Sequence, residues 1–311
     1  MMSEIWLKSV GSVTKFSILL LVFFIQGLSQ TAEELKYYAE RIEFGEIDVR
    51  RSALFDLRNF ESESASRVAI PALRDISEIV RATATHTVVF LPEEEAIRVL
   101  TPLLNERSAF IRRETAYALG EVGSAAAVKH LTNLMQKDTD REVRVAGAVA
   151  LGRIGNVSAV QILNEVFKKK PKSKRSFLRR AAARSIGQIA QRLQNQSKTR
   201  TTPESFLPEK HKKIVRPRFR RLVEQFPVFR RSNEIMLKVM QSPKEAPDTR
   251  REASFAVGEI GDASSIEPLK RNLRSGDYYL AEISAEALRK VYASVNFANS
   301  DGVSESASSV K

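Results

Sequence analysis

The chain has 311 residues, 43% of them apolar, which is enough for two ordinary domains or one elongated array and too apolar for a wholly disordered protein. It contains no cysteine, which excludes disulfides, thiolate metal sites and a cysteine nucleophile. The net charge of +13 is local: Lys168–Arg231 carries 21 Lys/Arg against 3 Asp/Glu, a net of +18, so the remainder is at −5.

In chain order, Lys8 and Lys15 precede a ten-residue apolar run, Phe16–Ile25, followed by Gly27 and Ser29. A positive flank, a short apolar core and small residues predict a secretory signal over 1–29, cut near Ser29, and hence an exported protein, periplasmic or secreted. The alternative is an uncleaved segment that anchors the chain to a membrane, although the run is short against the roughly 20 residues of a spanning helix. Thr31-Ala32-Glu33-Glu34 has the form of a capping box. It predicts a short helix within 30–45 that caps the open end of the helical array beginning at residue 46.

From residue 46 the chain repeats. FIRRETAYALGEVG (Phe110–Gly123) returns as EVRVAGAVALGRIG (Glu142–Gly155), SFLRRAAARSIGQIA (Ser176–Ala190) and TRREASFAVGEIG (Thr249–Gly261). Equivalent positions fall at Arg58, Val89, Gly120, Gly152, Gly187, Gly258 and Arg289, with spacings of 31, 31, 32, 35, 71 and 31 residues. A period in this range marks stacked helix pairs. One position earlier every residue is apolar, and four earlier nearly every one is small, so each first helix has an apolar stripe that a neighbour can approach closely. Leu100, Leu131, Leu163 and Leu269 mark the second helices, antiparallel to the first because the connections are short. Pro71 and Pro102 fall inside second helices and predict that these are short or kinked.

The motif carried by Val143-Arg144, Ala150-Leu151-Gly152 and Ile154-Gly155, and by Ala256-Val257-Gly258 and Ile260-Gly261, resembles HEAT repeats, most nearly the short HEAT-like class first named for phycobilisome lyases. The resemblance spans about 46–292. It implies an all-α, right-handed α-solenoid of the HEAT/armadillo type, with about seven stacked antiparallel helix pairs whose second helices line the concave face. On that footing Arg98, Thr101, Lys129, His130, Asn133, Gln161, Asn164, Lys270 and Arg271 are the candidates for contact with a partner protein. Arginine stands eight before the reference position at Arg50, Arg81, Arg112, Arg144, Arg179 and Arg250. The expected role is a structural ladder to inter-repeat carboxylates and carbonyls, with Asp48, Asp140 and Asp248 close by in sequence; an anion-binding track is the other reading.

The 71-residue gap holds either an insertion at about 193–231 or a decayed eighth repeat. Its basic side chains, Lys168, Lys169, Lys170, Lys172, Lys174, Arg175, Lys212, Lys213, Arg216, Arg218, Arg220 and Arg221, are candidates for an anionic partner: lipid headgroups, a wall polymer, an acidic protein face or nucleic acid. Nucleic acid ranks last, because no tyrosine or tryptophan lies in this stretch to stack on bases. The serine-rich segment 293–311 is expected to be disordered.

No catalytic constellation emerges. His86, His130 and His211 stand far apart and lack a metal-ligand companion at i+3 or i+4. Nor does any histidine precede a glutamate, as in the HEAT-repeat hydroxylases that hold a di-iron centre. The repeat class also suggests a bilin lyase, which nothing else in the sequence favours. The expectation is a non-catalytic interaction scaffold with no cofactor, metal or small-molecule substrate; the alternative is a polyanion or membrane-surface binder acting through 168–231.

Overall fold

The computed structural model describes residues 32–198 and 222–308. The leader expected at 1–29, and within the basic stretch Lys212, Lys213, Arg216, Arg218, Arg220 and Arg221, lie outside the described residues. The described residues are helices joined by turns, without a strand. They form two compact units that divide between Val99 and Leu100.

The first unit begins with α1, residues 32–44. Two helix pairs come next: α2 (Ile47–Arg58) with α3 (Glu63–Ala69), and α4 (Glu78–Thr87) with α5 (Glu93–Leu100). Both second helices are short for the reason proline gives. After Ala69 the backbone tightens into a 3-10 turn, Ile70–Arg74, with Pro71 at its start, and after Leu100 into another, Thr101–Asn105, that begins around Pro102. Leu54, Leu57, Val80, Ala84 and Val88 form the core of this unit. Hydroxyls complete its contacts: Thr87 donates to the Leu54 carbonyl at 3.1 Å, and Ser66 to the Thr87 carbonyl at 2.7 Å. Tyr38 of α1 meets Phe60 edge-on at 5.9 Å between ring centres and so covers the end of the first layer.

In the second unit five first helices pack in succession: α6 (Ala109–Val122), α8 (Arg141–Ile154), α10 (Ser176–Lys198), α13 (Pro247–Ile260) and α15 (Tyr278–Ser308). The second helices are α7 (Val128–Lys137), α9 (Ser158–Glu165), α12 (Val228–Gln241) and α14 (Ile266–Asn272), with a short α11 (Leu222–Gln225) ahead of α12. Glycine sets the spacing of the first helices. A Cβ on Gly120 would lie 2.9 Å from Ala150 Cα, and one on Gly258 only 2.6 Å from Ala287 Cα. Backbones meet where the sequence leaves out a side chain. Gly123, Gly155 and Gly261 end α6, α8 and α13 at φ of 78°, 76° and 73°, the left-handed turn into each second helix. Asp140 opens α8 by accepting from the Glu142 and Val143 amides.

α10 packs directly on α13, with Gly187 against Phe255 and Ala256. α12 lies between α9 and α14: Asn164 donates to Ser232 Oγ at 2.9 Å, and Asn233 to Ser265 Oγ at 3.0 Å. α10 and α12 are therefore the two helices of one pair, and no layer stands between α10 and α13 for an eighth repeat. The seventh layer is a single helix. It continues to Ser308, so most of the serine-rich tail expected at 293–311 to be disordered is instead helical; a continuous helix satisfies its backbone without needing an apolar face.

The arginine column is an inter-layer device. Arg50 grips Asp75 with two hydrogen bonds of 2.7 and 2.8 Å and donates to the Gly45 carbonyl. Arg112 grips Asp138 at 2.7 and 2.8 Å and donates to the Glu106 and Arg107 carbonyls. Arg179 grips Glu245 and donates to the Val166 and Lys169 carbonyls. Each binds the carbonyl end of the preceding helix, where a cation is favoured, and the carboxylate of the turn one layer on. Arg81 donates to the carbonyls of Asp75 and Ile76, and Arg250 to that of Met240. In the sixth layer the neighbouring Arg251 takes the carboxylate of Asp277. The carboxylates are not the ones that proximity in sequence indicated. Asp140 caps a helix, and Asp248 pairs with Arg180 and Arg251. The Nε of Arg144 is buried without a partner. Burial works to raise the Asp75 and Asp138 carboxyls, but the Arg50 and Arg112 guanidiniums and a backbone amide at each hold both below the ordinary carboxylate range.

Candidate functional site

The second helices of the second unit present Lys129, His130 and Asn133 on α7, Gln161 on α9 and Arg271 on α14, all exposed. Lys270 is exposed but tied to Glu267 at 2.8 Å. Thr101 is half-buried and its hydroxyl has no partner. Arg98, on α5 of the first unit, is exposed and 3.4 Å from Glu95. Asn164 departs from the expectation of an open contact residue: at 6% exposure it is buried.

The position of Asn164 is informative. Its Nδ2 donates to Ser232 Oγ, and the Ser232 hydroxyl donates in turn to the Val228 carbonyl at 3.0 Å. The serine hydrogen being spent, Asn164 must be the donor of the first bond, which fixes the orientation of its amide. Oδ1 of Asn164 is then left buried with no partner. An orphaned acceptor costs about 1–3 kcal/mol.

Asn164 lines a cleft of about 860 Å³ between α9 and α12. Gln161, Val228, Ile235 and Val239 supply further lining, and the loop Phe167–Pro171 joins it with its three lysines. Arg179 holds that loop through the Val166 and Lys169 carbonyls and lies over the Phe167 ring at 4.7 Å. Two cations here are neutralised, Lys168 by Glu165 at 2.6 Å and Arg231 by Glu234 at 2.8 Å. Lys169, Lys170 and Lys238 have no ion-pair partner among the described residues. Of the other candidates for an anionic partner, Lys172 is exposed, Arg175 is half-buried and donates to the Lys170 carbonyl, and the side chain of Lys174 lies outside the described residues. The cleft thus combines an apolar lining and a cationic rim, and Asn164 in its wall keeps a buried acceptor unmet.

α12 supplies Val228, Arg231, Ile235, Lys238 and Val239 to it, and sequence reasoning derived none of them as contacts. The apolar spacing of Phe229, Met236 and Met240 marks α12 as a helix, but the insertion displaces it from the repeat register that located the others.

The first-helix side of the second unit differs. A cavity of about 950 Å³ crosses α10, α13 and α15, and its charges pair off: Arg180 with Asp248 at 3.2 Å, Arg184 with Glu252 at 3.3 Å, Arg251 with Asp277 at 2.9 Å, and Lys290 with Glu259. Burial raises the Glu252 carboxyl, against the pull of Arg184 and Arg180. Among the described residues no three histidine, aspartate or glutamate side chains converge on a metal position, and no helix is long and apolar enough to cross a membrane.

Residues 40–120 and 108–187 match the HEAT repeats family, and 249–275 match the PBS lyase HEAT-like repeat. No curated protein matches the chain. Among solved structures the chain is similar to an engineered protein, at 18% identity and a TM-score of 0.48, covering 83% of this chain and 68% of that one. It is similar also to the complex of CpcE and CpcF of phycocyanin lyase from Nostoc sp. PCC7120, at 18% identity, TM-score 0.45, and 86% and 94% coverage. A third is human deoxyhypusine hydroxylase in complex with glycerol, at 17% identity, TM-score 0.40, and 86% and 98% coverage. With the family matched on either side of the insertion, and helix pairs packed through the glycine column between them, the chain is a HEAT-repeat protein.

Proposed function

We propose that this HEAT-repeat chain is a non-catalytic scaffold that acts outside the cytoplasm and takes an extended, acidic segment of a partner protein along its second-helix face. The single observation that carries the reading is the cleft between α9 and α12, where Asn164 Oδ1 is buried and unbonded beside three unpaired lysines. A turn of the Asn164 side chain that brings Oδ1 out to the cleft would let a backbone N–H of an extended segment satisfy that acceptor. Alternate side chains of the segment would then reach Ile235 and Val239 on one side and the lysines on the other. Exposed Lys129, His130 and Asn133 on α7 extend the same face.

The probe is a fluorescent peptide that alternates glutamate with leucine, with a lysine–leucine peptide as control. The acidic peptide binds and the basic one does not. Lys169→Glu/Lys170→Glu/Lys238→Glu weakens binding by about 50-fold or more at low salt, at one lost charge-assisted contact per lysine. Unchanged binding of the acidic peptide to that variant overturns the reading.

A further inference from the structure

We infer that the second unit has another surface, which adjoins the cleft at Lys169 and Lys170: the edge formed by the turns from each second helix into the next first helix contacts an anionic lipid headgroup layer. Its exposed large apolar side chains are placed unevenly. Phe110, Phe177, Leu273, Tyr278 and Tyr279 all lie in these turns or in the first turn of the helix after them, and the last two are 69% and 64% exposed. The turns at the opposite edge, Gly123–Ser124, Gly155–Val157 and Gly261–Asp262, carry none; at that place in α15 stands Tyr292, 37% exposed. The first unit, taken by itself, carries Phe44, Ile47, Ile76 and Ile79 at its corresponding turns, and Tyr37 and Phe55 are exposed along its helices.

Charge on this edge is equally one-sided. Arg107, Lys169, Lys170, Lys172, Lys244 and Arg274 are exposed there without an ion-pair partner among the described residues. The carboxylates of the same turns are engaged: Asp138 by Arg112, Glu245 by Arg179, Asp277 by Arg251, Asp248 by Arg180, Glu142 by Arg113, and Asp140 by the start of α8. The arginine ladder therefore removes the negative charge from the edge and leaves the lysines. Those same pairs hold successive turns side by side, so the rings and lysines present together.

Aromatic rings at headgroup depth with lysines between them are what an anionic interface binds, since the rings enter the boundary and the long side chains keep their charge among the phosphates. A nucleic acid asks instead for a groove or stacking platform, and these rings stand at separate turn tips.

The test uses the full chain, which has no cysteine of its own, labelled with an environment-sensitive fluorophore at Gly276→Cys, where a side chain meets open space. The control label is at Ala263→Cys, exposed at the opposite edge. With phosphatidylglycerol–phosphatidylcholine vesicles the 276 label shifts to the blue and the 263 label does not; pure phosphatidylcholine leaves both unchanged, and high salt reverses the shift. Lys172→Glu/Lys244→Glu/Arg274→Glu, none of which lines the cleft, lowers partitioning about 100-fold, at roughly a factor of five per cation. An equal shift at both labels, no shift with anionic vesicles, or a shift with duplex DNA alone overturns the inference. The first of these would mean attachment through the N-terminal apolar segment only.

Discussion

The two sides of the second unit use the same helix pairs in opposite ways. On the first-helix side backbones touch: Gly120 faces Ala150, Gly187 faces Phe255 and Ala256, and Gly258 faces Ala287, with no room for a methyl group. Its ions are paired across layers. On the second-helix side α9 and α12 stand apart around a cleft, with an amide oxygen unbonded and three lysines unpaired. The first-helix side spends its close packing and its ion pairs on holding the layers together, while the second-helix side keeps cations that no carboxylate of the described residues engages. In a solenoid, where each layer contacts only its neighbours, the side that holds the stack together and the side that binds can be separated in this way.

The comparison breaks first at the glycines. Gly258→Leu must push α13 and α15 apart, and overpacking of this kind costs about 3 kcal/mol. Thermal unfolding reads it as a clear loss, and the same substitution at Gly276, where nothing crowds, leaves the melting temperature within a degree or two. Next come the ladder carboxylates. Asp75 and Asp138 are held below the ordinary carboxylate range, so their contribution to stability is complete above the unfolded value, about 3.9. It drains away as the pH falls through the lower folded value. Stability therefore declines below about pH 4. Asp138→Asn, which weakens the grip on Arg112 by about 2 kcal/mol at neutral pH, flattens that decline.

The smallest effect on stability is expected at Asn164. Replacing it by leucine removes one bond to Ser232 but also the orphaned acceptor, and the two nearly cancel, to within about 1 kcal/mol. Binding of the acidic peptide should fall by about tenfold all the same. A substitution neutral for folding and harmful to binding separates the two sides; equal damage to both would merge them.

The stacking was legible in the sequence because its cause is local. A small residue at a fixed helical position is visible without coordinates, and so is the glycine that turns the chain. Proline likewise announced the shortened α3 and α5. What was not legible depends on partners far away in the chain. Asn164 reads as an exposed polar residue of α9 until Ser232, 68 residues on, takes its amide hydrogen. Arg179 finds Glu245 across 66 residues, a partner that closeness in sequence could not indicate. α12 carries an evident apolar stripe, yet the insertion moves it out of register, so Ile235 and Lys238 do not stand out as contacts. The turn edge was missed for a different reason: Phe110, Phe177 and Tyr279 lie at the same place in their layers, but each alone is an ordinary exposed ring.

The most direct test is hydrogen–deuterium exchange on the chain with and without the acidic peptide. The account predicts slowed exchange confined to α9, the loop 166–171 and α12, with α10, α13 and α15 unchanged. Protection along α10 and α13 with none at α9 or α12 would contradict it, by placing the ligand on the side where the first helices pack and their ions are paired.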